Sequence, residues 1–161
     1  MPTIEDAIKF STSGEHNKAL EIFLRLLDEN HIETAQHFME LAFALDRDGK
    51  EHEAIPHYTH ALNGNLSEHD KLHVYFCLAS SYRAVGELKQ AQTILIKAVC
   101  EYPEEASLQI LQALVEYDCG NTTKSIGSFL SIAEKHITQE NLAPYKWLLR
   151  REAAALNDRS E

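Results

Sequence analysis

The sequence predicts an all-α protein built from stacked helical hairpins, and three observations carry that prediction. Gly14, Gly49, Gly86 and Gly120 stand 35, 37 and 34 residues apart, a period that belongs to stacked-repeat architectures. Each is followed five residues later by a small residue: Ala19, Ala54, Ala91 and Ser125. The chain also holds only 6 Gly and 4 Pro among 161 residues, with no alternating Val/Ile/Thr stretch, so helix is favoured over sheet.

Ile4 to about Ser11 reads as a short first helix, broken by Ser11-Thr12-Ser13-Gly14. From His16 to Leu27 the residues Ala19, Leu20, Ile22, Phe23, Leu26 and Leu27 make an apolar stripe, with Lys18, Glu21 and Arg25 on the other side. Asn30-His31 stops that helix. Thr34 can cap the next, which runs to about Arg47 and packs Phe38, Leu41, Ala42 and Leu45. Gly49 permits the positive φ of a tight helix-helix turn.

The helix from Glu51 to Leu62 contains Pro56 past its first turn, where a local kink is expected. Asn63-Gly64-Asn65 ends it. Ser67 with Asp70 resembles a capping box for a helix to about Val85, which packs Tyr75, Leu78, Ala79 and Tyr82. The three extra residues of this repeat belong in the loop before it. Leu88 to Glu101 packs Ala91, Leu95 and Ala98, and Pro103 stops it.

The last repeat runs from about Glu105 to Tyr117, turns at Gly120-Asn121, and continues as Thr123 to Lys135 with Ile126, Phe129 and Ile132 facing in. Asn141 as N-cap and Pro144 in the first turn open a final helix to about Leu156, bearing Tyr145, Trp147, Leu148 and Leu149. The expected organisation is one domain: repeats over 1–137 (about 1–33, 34–66, 67–104 and 105–137), a C-terminal capping helix over 138–157, and a frayed tail over 158–161.

The formal charge is -10 and the 15 basic residues form no cluster, so a phosphate backbone or an anionic membrane would be repelled. A basic or apolar polypeptide suits this surface better, although an acidic surface is also an ordinary means of staying soluble. The N-terminus lacks the pattern of a secretory signal and no apolar run reaches the ~20 residues of a bilayer span. A cytoplasmic protein is expected. Cys77, Cys100 and Cys119 show no CxxC spacing and leave an odd thiol, as reduced, packed residues do.

These helical residues resemble the tetratricopeptide repeat, whose pattern is W-x2-L-G-x2-Y, then A-x3-F, then P. Phe38-x2-Leu41-Ala42-x2-Leu45 leads to Ala54-x3-Tyr58, and Tyr75-x2-Leu78-Ala79-x2-Tyr82 leads to Ala91-x3-Leu95 and Pro103. The outer repeats depart from it: Gln109, Gln112 and Glu116 stand where large apolar residues are expected. Over about residues 4 to 137 the chain is most similar to the small bacterial tetratrico peptide repeat group 5 proteins. The resemblance implies a right-handed superhelix of stacked antiparallel helix pairs, whose first helices line a concave, peptide-receiving surface.

The groove-facing positions lie about a third of a turn from the packing residues. They are Gln36, Met39, Glu40, Phe43 and Asp46; His73, Phe76, Cys77, Ser80 and Arg83; and Ile110, Leu111, Leu114 and Tyr117. The set is apolar enough to anchor a protein or peptide partner. The Lys and Asn clamp with which some relatives hold a peptide carboxylate is missing: those places carry Met39, Glu40, Phe76 and Cys77. The competing reading is a homodimer in which the groove or the final helix is the interface.

His69/His73 and His57/His60 have spacings that can share a helix face, as zinc ligands do, but no HExxH motif or paired cysteine accompanies them. No phosphate loop, GxSxG or Cys-His motif is present. Neither an enzyme nor a cofactor is expected.

Overall fold

The computed structural model describes residues 2–136 and 146–158. The expected cap at Asn141, Pro144, Tyr145 and the tail from 159 lie outside the described residues, as do the side chains of Leu148, Leu149 and Asn157. Every regular element among the described residues is a helix. The chain forms two compact units, Met1–Glu87 and Leu88–Glu161. The division falls inside the expected third repeat, between the two helices that flank Gly86.

The first unit contains α1 (Ile4–Thr12), α2 (His16–Asp28), α3 (Ala35–Arg47), α4 (Glu51–Leu62) and α5 (Glu68–Ala84). Local chemistry sets where these helices begin. Thr3, not anticipated as a cap, accepts from the Asp6 N-H at 3.3 Å while the Asp6 carboxylate accepts from the Thr3 N-H at 2.9 Å. Thr34 does the same for α3 with an unusual partner. Its hydroxyl accepts from the His37 N-H at 3.2 Å, and His37 Nδ1 accepts from the Thr34 N-H at 3.5 Å, so an imidazole fills the Glu/Gln place of a capping box. Ser67 caps α5 by accepting from the Asp70 N-H at 3.1 Å.

Gly49 has φ +74°, and Gly14, Gly86 and Gly120 repeat that left-handed geometry. At Gly49 the amide donates to Asp46 and the next amide, that of Lys50, to Leu45, closing α3 before α4 starts. Helix α4 runs unbroken through Pro56, which offers no N-H to the His52 carbonyl.

Helix α3 touches α2 and α4, and also α1 and α5, so the first helices of successive repeats lie side by side. The core between the layers is made of Phe23, Leu41, Leu45, Tyr58, Tyr75 and Leu78, all essentially inaccessible. Each contributes ~1.5–3 kcal/mol by leaving water. The small residues let the layers close: Ala19 and Ala54 are buried, each one turn before a buried aromatic, Phe23 or Tyr58. Gly64 marks another close approach, since a Cβ there would stand 2.6 Å from that of Ala35.

The second unit contains α6 (Leu88–Glu101), α7 (Ala106–Asp118), α8 (Thr122–His136) and α9 (Lys146–Asn157), each lying against the next. Its core includes Ala91, Leu95, Ala98, Leu108, Ala113 and Val115. Ser125 takes the small-residue place on α8, and its hydroxyl donates to the Ala113 carbonyl at 2.7 Å.

Three expectations change here. Ile126 does not face in; it is 46% exposed, because Ser125 holds the inward position and one residue further is about 100° around the helix. Trp147, named for the capping helix, leaves its ring outward at 60% exposed, and among the described side chains of α9 Ala153 is the buried one. Of the three cysteines only Cys77 is packed, and Cys100 and Cys119 are exposed.

Candidate functional site

The predicted binding positions fall into two groups, one in each compact unit. In the first unit, α3 and α5 present Glu40, Phe43, Phe76, Ser80 and Arg83 half-buried and His73 exposed. Phe43 stands edge-on to Tyr58, with centroids 5.6 Å apart, and lies 4.8 Å from the His73 ring. It therefore joins the two first helices into one aromatic surface. Glu40 borders it. Burial pushes its carboxyl above the usual range and the nearby Asp70 charge adds to that, against a hydrogen bond from Gln36 and the charge of Arg47.

Two members of this group behave otherwise. Met39 is 3% exposed and belongs to the core; α3 has neighbours on several sides, so its buried arc is wider than the packing stripe alone. Asp46 is engaged within the fold. It accepts from the Tyr58 hydroxyl at 3.0 Å, and the Ser81 hydroxyl lies 3.1 Å from its other oxygen and 2.9 Å from the Cys77 carbonyl, sharing one proton between them. Burial raises the Asp46 pKa, and the bonds from Tyr58 and Ser81 oppose that rise. Burial also pushes the Cys77 thiol up to about 11, with the Asp46 charge adding to it. Tyr58 was missed as a polar partner because its place in the repeat pattern read as packing, and Ser81, buried at 1%, lies in no motif that pointed to it.

In the second unit, α7 presents Ile110 at 39% exposed and Tyr117 at 57%, with Leu114 half-buried between them. Their i, i+4, i+7 spacing forms one stripe. Leu111, expected beside them, is buried with Leu108 and Val115. Glu116, in a place expected to be apolar, is 7% exposed yet surrounded by hydrogen-bond donors. Burial works against its charge, but bonds from Asn121 at 2.7 Å and Lys124 at 3.0 Å, with a longer one from Gln92, outweigh it and lower its pKa.

A cleft of about 320 Å³ near the start of α1 is lined by Pro2, Ile4, Leu26, His31 and His37 among others, and by none of the predicted binding residues. Among the described residues no three His, Cys, Asp or Glu side chains converge as metal ligands. His69 and His73 meet edge-on with centroids 6.4 Å apart, and His57 and His60 flank the Phe38 ring at 5.9 and 3.9 Å. No helix among the described residues is long and apolar enough to cross a membrane.

An array of helical hairpins with turn glycines, small residues at the crossings and half-exposed aromatic rings on the first helices defines a helical-repeat protein of the scaffold class. The group 5 tetratrico peptide repeat model matches residues 35–145, and the chain belongs to that family. Human superkiller complex protein 3 is 28% identical over 150 residues, 92% of this chain but 9% of that protein, so the chain spans a small part of this relative. Two solved structures share the fold at 15% identity. YrrB, described as a tetratricopeptide protein with an unusual peptide-binding site, gives a TM-score of 0.68 over 98% of this chain and 82% of its own. MamA gives 0.63 over 99% and 97%.

Proposed function

We propose that this chain is a non-enzymatic interaction scaffold that holds a protein or peptide of apolar or basic character on the first-helix faces of its repeats. The observation that carries this reading is the contact of Phe43 on α3 with His73 on α5 at 4.8 Å, with half-buried Phe76 one turn after His73 and Glu40 one turn before Phe43. Large rings that are already ordered by neighbours give up little entropy on contact, which is why they dominate interface energies. The charge supports the basic preference: residues 1–87 hold 15 carboxylates against 7 lysines and arginines. Ile110, Leu114 and Tyr117 offer an uncharged stripe for apolar side chains. The peptide-binding site named for YrrB is in keeping with this use of the fold.

We place this work in the cytoplasm, where the free thiols of Cys77, Cys100 and Cys119 would stay reduced. Nucleic acid and membrane are not the partners we propose, given the net charge of -10. A second copy of the chain is the other polypeptide that fits, and the 60% exposure of Trp147 favours that reading.

The test is selection from a random peptide library on the full chain, with Phe76→Asp as control and circular dichroism to confirm its fold. Selected peptides rich in basic and apolar residues, bound at least about tenfold more weakly by the variant, are expected. Acidic peptides, or peptides bound equally by the variant, would overturn the proposal.

A further inference from the structure

The geometry points to α9 as a docking element for a second copy of this chain, its Trp147 and Arg151 seated against Phe43 and Glu40 of the other molecule. The inference rests on reading the α3–α5 surface as the docking face. Helix α9 carries Lys146, Arg150 and Arg151 against the single acid Glu152, whereas the 1–87 unit carries an excess of eight carboxylates. These opposite local charges favour the contact itself, against the overall repulsion between two chains of net charge -10.

The side chains that α9 leaves outward match the face in kind. Trp147 is 60% exposed and the Arg151 guanidinium lies 5.3 Å from its ring centre, so an indole and a cation one turn apart form a single projecting edge. On the receiving face, Phe43 and Glu40 are likewise one helical turn apart. Laid antiparallel, α9 sets indole on phenyl and guanidinium on carboxylate in the same register.

Neither pairing requires breaking the fold. Arg150 pairs with Glu134 of α8, and Ala153 is buried, so Trp147 and Arg151 are not the side chains that hold α9 in place. Among the described residues the acid that Arg151 pairs with is its neighbour Glu152, both more than 45% exposed, and such surface pairs exchange at little cost. Across the interface, the Asp70 charge weighs against that of Glu40 and an incoming guanidinium offsets it; Arg47, whose charge favours Glu40, is engaged with Ser11 at 2.7 Å. If each copy lends α9 to the other, both faces are filled.

Sedimentation equilibrium of the full chain over a concentration series tests this, at low and high salt. A dimer that weakens with salt is expected, with Arg151→Glu, Glu40→Lys and Trp147→Ala each raising its dissociation constant about tenfold or more. The paired Arg151→Glu/Glu40→Lys variant should recover most of the loss. A monomer at every concentration overturns the inference, as does a dimer indifferent to both reversals or a pair no tighter than its parts. Library peptides that bind a strictly monomeric chain would remove this inference and leave the peptide reading standing. A reversal-sensitive dimer that selects no peptide would do the opposite.

Discussion

The Tyr58 hydroxyl donates to the Asp46 carboxylate at 3.0 Å, tying the second helix of a hairpin to the C-terminal end of the first. Tyr58 itself is fully buried, so the phenol has no water to turn to. Tyr58→Phe should leave the ring's packing intact and deprive a half-buried carboxylate of one of its donors. We expect a loss of about 2 kcal/mol in urea unfolding, against about 1 kcal/mol for Ser81→Ala.

Acid should act on this clasp in an uncommon direction. Burial raises the Asp46 pKa in the folded chain above the ordinary 3.8, so folding favours the protonated acid. Its contribution is complete below that ordinary value and is lost as pH climbs through the folded pKa. Asp46→Asn should therefore flatten the stability profile just above pH 3.8. Glu116 runs the other way. Its folded pKa is lowered beneath 4.5, so its contribution is present above that value and is lost as pH falls through the folded pKa. Glu116→Gln should flatten the acid limb, as measured by thermal melts across pH.

Gly64 leaves room for Ala35 and for nothing more. Adding a methyl sets two Cβ atoms 2.6 Å apart, so one helix must shift. Gly64→Ala is expected to cost about 1–3 kcal/mol, and the double variant Gly64→Ala/Ala35→Gly should recover part of it on the same denaturation curve.

The three thiols should separate by rate. With its pKa pushed up to about 11, Cys77 is only about one part in a thousand thiolate at pH 8, and it is half-buried as well. Exposed Cys100 and Cys119 should consume two equivalents of a thiol reagent quickly. Cys77 should follow slowly, and unfolding in urea should bring all three to one rate.

The helix boundaries were legible because each turn leaves a mark: a glycine at the left-handed position and a small residue five later. Azimuth around each helix was not. Met39, Leu111 and Ile126 were each assigned to the wrong surface, since one residue is about 100° of rotation and repeat patterns do not reveal how many neighbours a helix has. Polar pairing was least legible of all. Asp46 reads as a ligand contact until Ser81, 35 residues on, is seen to reach it, and the acid at 116 reads as a broken repeat until Asn121 and Lys124 are seen around it.

The bond between Asp46 and Ser81 also limits how this chain can be shuffled. A cassette cut at the nominal repeat border, between residues 66 and 67, would take Asp46 and Tyr58 with one piece and leave Ser81 on the other. It would also part Phe43 from His73. Transplanted alone, the segment from 34 to 66 would carry an acid short of one donor and a ring short of one neighbour. For grafting, the smallest self-consistent block is a hairpin together with the helix that follows it.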